Sequence, residues 1–144
     1  MQIFLKQHRQ IVIKLMEAKV EFILIGGYAV IYHGYPRTTD DLDIWLKPDN
    51  RNKEKLLPVL QSINLDEDDI CEPLENDFTQ PVVFQIGDPP ERIDFITRVA
   101  GLKFDEASIS QVYFTIESLR IPVLHLDHLI INKLLSGCLK IKPM

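Results

Sequence analysis

Three aspartates and a pair of glycines are the residues of this chain whose types and spacing could do chemistry. Asp41 and Asp43 flank Leu42 in the run Asp-Leu-Asp-Ile-Trp-Leu-Lys, residues 41 to 47. Side chains alternate faces along a strand, so Asp41 and Asp43 share one face while Asp40 shares the other with Leu42. Carboxylates two residues apart on one face are about 7 Å apart at the backbone, and their side chains can converge to about 4 Å. At an effective dielectric of ~20, two unit charges at that distance repel by about 4 kcal/mol. A divalent cation removes that repulsion and gains oxygen ligands. The third aspartate, Asp94, lies in Arg92-Ile93-Asp94-Phe95-Ile96 between apolar neighbours. A buried carboxylate is costly unless it is paired or metal-bound. If its strand pairs beside residues 41 to 47, three carboxylates meet at one point. The competing reading is a buried ion pair of Asp94 with Arg92, Arg98 or Lys103. Three carboxylates suit one or two Mg²⁺ (or Mn²⁺) held against a nucleoside triphosphate, where two ions clamp the attacking and leaving oxygens of an in-line displacement.

The glycines are Gly26 and Gly27, at the end of the apolar run Phe22-Ile23-Leu24-Ile25. A strand that stops at glycines and opens a helix exposes backbone N–H groups, which suit a phosphate. The spacing does not fit the dinucleotide fingerprint, and there is no Gly-Lys-Ser/Thr phosphate loop. For each feature a plain structural reading stands beside the chemical one. Asp41 and Asp43 alone read as a polar edge strand, and Gly26-Gly27 alone as a strand-to-helix turn. The ordered combination is what points to a site.

Elements must position these residues. Apolar spacing predicts a helix over 3–19, a buried strand over 21–25 and helical character over 28–33. It also predicts a strand over 41–47 and a helix over 51–63 whose Pro58 sits near the start or bends it. Residues 82–86 and 92–97 read as a hairpin around Gly87-Asp88-Pro89-Pro90. Residues 112–116 and 121–125 read as further strands, and Asp127 caps a final helix to about Leu135. The run Asp66-Glu67-Asp68-Asp69 reads as a solvated loop. This order predicts one α+β (mixed α/β) domain over residues 1–144, a small mixed β-sheet flanked by helices.

Bulk properties narrow the function. The chain has 144 residues and a net charge of −5, from 16 Lys plus Arg against 21 Asp plus Glu. An acidic chain is poorly suited to non-specific duplex DNA binding. Cys71 and Cys138 are too few for a disulfide framework and lack metal-ligand spacing. The N-terminus does not read as a signal peptide, and no window is long and apolar enough to span a membrane. The expectation is a cytoplasmic protein without a membrane partner.

The stretch ILIGGYAVIYHGYPRTTDDLDIWL resembles the signature of the DNA polymerase β-type nucleotidyltransferase superfamily, closest to the small prokaryotic branch of minimal nucleotidyltransferases and abortive-infection toxin-like proteins. RIDFITRVAGLKFDEA resembles that superfamily's third-aspartate strand, and IPVLHLDHLIINKLLSG its closing strand and helix. The resemblance implies a nucleotidyltransferase fold and transfer of a nucleoside monophosphate from a triphosphate such as ATP, with pyrophosphate released. It implies that Asp41, Asp43 and Asp94 are the metal-binding catalytic carboxylates. Gly26, Gly27, Arg37, Thr39 and Lys133 would serve the nucleotide. The acceptor is left open among an RNA end, a protein hydroxyl and a small molecule. Relatives often continue after the last helix with Arg-x-Lys-Asp, whereas Gly137 is followed here by Cys138 and Leu139 to Met144. That departure implies a shortened or frame-shifted C-terminus. It supports the alternative expectation of a catalytically weak interaction module acting through a partner protein, such as a toxin–antitoxin component, and, separately, the expectation that Leu134 and Leu135 of the final helix are open to self-association.

Overall fold

The computed structural model describes residues 4–35, 41–63, 73, 75–88 and 91–135. Its elements run α1 (Lys6–Glu17), β1 (Phe22–Ile25), α2 (Gly26–Tyr32), β2 (Asp41–Leu46), α3 (Asn50–Gln61), β3 (Val83–Ile86), β4 (Arg92–Ile96), α4 (Phe104–Ser110), β5 (Val112–Ile116), β6 (Leu119–Val123) and α5 (Leu126–Leu135). The six strands form one mixed sheet in the order β3-β4-β2-β1-β6-β5. β1 runs antiparallel to β2 and parallel to β6, while β2 runs parallel to β4. β3 and β4 form the expected antiparallel hairpin, and β5 and β6 form a second one.

Hydrophobic burial fixes which way each strand faces. All four residues of β1 are buried, as a central strand covered on both sides requires. β2 alternates instead: Leu42 and Ile44 are fully buried, while Asp41 and Asp43 are partly open. Phe84, Ile86, Ile93 and Phe95 continue the Leu42 face across β4 and β3. Phe84 and Phe95 stack with ring centroids 4.8 Å apart. A one-residue slip of β2 would turn both aspartates into this apolar core, so the hydrophobic pattern sets the orientation of the carboxylates.

Several expectations need correction. Residues 104–110 form a helix where no helix was expected. Its signal is faint, because Phe104 and Ala107 are its buried residues and Ile109 is open to solvent. Asp105 and Glu106 in its first turn suit the positive end of a helix dipole. Pro58 lies in the second half of α3 rather than near its start. β6 begins at Leu119, not 121, because Glu117 and Ser118 alone make the turn, with φ of 48° and 70°. Both residues adopt the left-handed conformation of a tight hairpin turn without the Asn-Gly that normally marks one. Asp127 sits inside the first turn of α5 rather than capping it. Asp66–Asp69, Cys71 and Cys138 lie outside the described residues.

Asn52 ties the far ends of the site-bearing strands together. It is buried at 1 % exposure, and its amide accepts from Glu21 N–H at 2.8 Å and donates to Glu21 C=O at 2.8 Å and Lys47 C=O at 3.3 Å. Those partners sit just before β1 and just after β2. Asp49 caps the same helix through Asn52 N–H at 2.7 Å. Asn52→Ala strands these buried backbone groups and should lower stability by about 1–3 kcal/mol. Urea denaturation with unchanged far-ultraviolet circular dichroism of the folded state is the check.

Candidate active site

The parallel register of β2 and β4 builds the site. Asp43 lies directly across from Asp94, and Asp41 directly across from Arg92. On the other side of β2, Ile25 lies across from Asp43 and leads straight into Gly26 and Gly27. The strand pairing that brings the three carboxylates to one end of the sheet is therefore present. Arg37 and Thr39 lie outside the described residues. Lys133 is half-buried in the last turn of α5, a helix that packs against α2.

Gly26 has a conformational task besides any role toward phosphate. Its φ is +66°, and a Cβ there would overlap the Asp43 carboxylate, coming within 2.8 Å of Cγ. No other residue type leaves that carboxylate its place without strain. The Gly27 N–H then donates to the Asp43 carboxylate, a bond that favours its charged form. Burial and the charge of Asp94 act more strongly the other way. Desolvation first, then Asp94, push the Asp43 pKa up to about 7, and the protonated form donates a hydrogen bond to Asp94. The proton held on Asp43 lies between the two carboxyl groups and relieves part of their repulsion.

Arg92 supplies the positive charge. Its guanidinium donates to Asp41 Oδ2 at 2.8 Å, and its Nε lies 3.5 Å from Asp94 Oδ1. The competing ion-pair reading of Asp94 is thus partly realised, with Arg92 as the partner. The second contact is too long to count as a good hydrogen bond. Arg92 Nε and Asp94 Oδ1 are both buried without a hydrogen-bond partner. Among the described residues, no group of three or more His, Cys, Asp or Glu side chains stands ready in metal-holding geometry. The donor set nevertheless fits a hard divalent cation, since carboxylate oxygens are its preferred ligands and Asp94 Oδ1 has bonding capacity unused.

His8 and Tyr28 support the site from beneath. His8 is fully buried on the apolar face of α1. The Tyr28 hydroxyl accepts from Leu5 N–H at 3.1 Å and is hydrogen-bonded to His8 Nδ1, 2.7 Å away. The His8 ring faces the backbone of Glu91 and Arg92, and burial lowers its pKa. Its signal in the sequence is the helical spacing His8, Ile11, Val12, Leu15. Trp45 shares the face of Asp43 but is packed away: it is 1 % exposed, meets Phe104 edge-on and donates to Thr97 C=O at 3.2 Å. His33 is structural too, its Nε2 bonded to Leu124 C=O at 2.8 Å. A groove of about 760 Å³ lined by Trp45, Lys47, Thr97 and Phe104 lies at the other ends of β2 and β4. Its nearest lining residue on β2, Trp45, is two residues past Asp43, about 7 Å along the strand.

The chain has the nucleotidyltransferase fold. It matches the crystal structure of a candidate nucleotidyltransferase from Thermotoga maritima with a TM-score of 0.62 at 13 % identity, over 92 % of this chain and 83 % of that one. No family model and no curated protein matches the sequence.

Two outcomes follow for the protein without added ions. Gly26→Ala should cost about 1–3 kcal/mol from the strained backbone and the displaced carboxylate, measurable by urea denaturation. Between the ordinary value of 3.8 and about 7, folded Asp43 keeps a proton that the unfolded chain has lost. The unfolded state then binds fewer protons, so stability falls as pH rises through that window. Asp43→Asn should remove most of this slope, and the carbonyl-carbon NMR shift of Asp43 should titrate near neutrality.

Proposed function

We propose that this chain is a metal-dependent nucleotidyltransferase that moves a nucleoside monophosphate from a triphosphate to an acceptor hydroxyl. The observation that carries the reading is the register placing Asp43 beside Asp94, with Asp41 on the same face and the Gly26-Gly27 junction against Asp43. Nothing in packing demands two like charges side by side in a partly dry place, and they are costly there. The likeness to a candidate nucleotidyltransferase adds the matching fold.

In this reading Asp41, Asp43 and Asp94 hold one or two Mg²⁺ or Mn²⁺ ions. Bound there, the metal supplies charge neutralisation for the triphosphate and the developing oxyanions. Asp94, which has an oxygen without a hydrogen-bond partner, would accept the acceptor hydroxyl's proton. Gly27 N–H holds the Asp43 carboxylate in line, and the absent Cβ of Gly26 keeps room for it. Arg37, Thr39 and Lys133 are proposed to bind phosphate.

The acceptor class stays among an RNA end, a protein hydroxyl and a small molecule. The alternative of a weakly catalytic interaction module draws on α5, whose Ile130, Ile131, Leu134 and Leu135 are exposed. Calorimetry with nucleoside triphosphates plus Mn²⁺ separates the two. The enzyme reading expects ion-dependent binding by the wild type and its loss, together with pyrophosphate release, in Asp43→Asn. Turnover that survives in Asp43→Asn contradicts the assignment, and a folded wild type that binds no triphosphate favours the module.

A further inference from the structure

Arg92 is two residues before Asp94 on β4 and directly across from Asp41, so all three side chains share one face. Its guanidinium lies among the carboxylates, at hydrogen-bond distance from Asp41 and 3.5 Å from Asp94. The two contacts differ in kind. An arginine that served only as a structural partner would be expected to engage its carboxylates fully, as a fork with two parallel bonds. Here the Asp41 bond is made, whereas Nε and Asp94 Oδ1 face one another buried and unsatisfied. Leaving such a pair unmade is costly in a partly buried place. The guanidinium thus pairs closely with Asp41 and only loosely with Asp94. It also goes with the absence, among the described residues, of any three acidic, histidine or cysteine side chains in metal-holding geometry.

We propose that Arg92 is the internal counter-ion of the ion-free site, a positioning residue that holds Asp41 until a divalent cation displaces it. On this view the guanidinium and the cation compete for the same carboxylates. Arg92 must leave Asp41 before all three aspartates can turn to one ion, and its charge sets how much divalent ion is needed. At 31 % side-chain exposure the guanidinium has an open side toward which to move. The inference rests on the reading of the three aspartates as metal ligands.

Calorimetric titration with MnCl₂, without nucleotide and at one fixed pH above neutrality, tests it on the full chain. Arg92→Met should bind Mn²⁺ about tenfold more tightly than the wild type, the order of effect that one neighbouring charge has on a carboxylate equilibrium. Arg92→Lys, which keeps the charge, should stay near the wild type. A purely structural role predicts the reverse, with Arg92→Met binding more weakly because the carboxylates lose their support. Circular dichroism establishes that each variant is folded, and Arg92→Gln replaces Arg92→Met should the latter fail to fold. Equal or weaker binding by the folded charge-removed variant, with binding still lost in Asp94→Asn, overturns the inference and leaves the metal-site reading standing. Absence of Mn²⁺ binding by both folded wild type and folded Arg92→Met overturns both.

Discussion

The parallel pairing of β2 with β4, in the register that sets Asp43 across from Asp94, is the constraint on which the rest of the site depends. Two carboxyls held side by side and partly desolvated cannot both carry charge cheaply. The surroundings are arranged around that conflict. Burial drives Asp43 toward its protonated form, Gly27 N–H pulls against it, and Arg92 neutralises Asp41 while reaching only partway to Asp94. Gly26 contributes by what it lacks, since any Cβ at φ +66° would fall on the Asp43 carboxylate.

The scaffold holds this conflict in place from both ends of the strands. At the far end, Asn52 ties the residues flanking β1 and β2, and Trp45 anchors β2 to Thr97 just beyond β4. At the near end, His8 and Tyr28 join α1 to α2 beneath the backbone of Glu91 and Arg92. The apolar face of β2, β4 and β3 supplies the burial that makes a slipped register costly. An unfavourable polar cluster is thus maintained by favourable packing elsewhere, a pattern typical of functional sites.

Much of this was legible in the sequence, for identifiable reasons. Strand alternation separated Asp41 and Asp43 from Asp40, and the apolar setting of Asp94 marked it as a carboxylate needing a partner. The pairing of β2 with β4 was not legible, because partners in that pairing, such as Asp43 and Asp94, are 51 residues apart in sequence and no local pattern encodes the match. Arg92 was visible as one of three candidate partners for Asp94, but only the register shows that it reaches Asp41 more closely. His8 went unread because a single histidine on an apolar helix face carries little signal. The helix at 104–110 was missed because two buried residues cannot establish a helical period, and the Glu117-Ser118 turn because it lacks glycine or asparagine. Gly26 was read for phosphate, and its fit against Asp43 emerged only from the folded backbone.

The most direct test of the proposed site is a crystal structure of the protein soaked with a nucleoside triphosphate and Mn²⁺. The expected result is anomalous manganese density ligated by Asp43 and Asp94, with Asp41 turned from Arg92 to join them and the triphosphate on the open side of the ion. Manganese or triphosphate bound away from these carboxylates, or carboxylates unchanged with Arg92 still on Asp41 at saturating ligand, would contradict it.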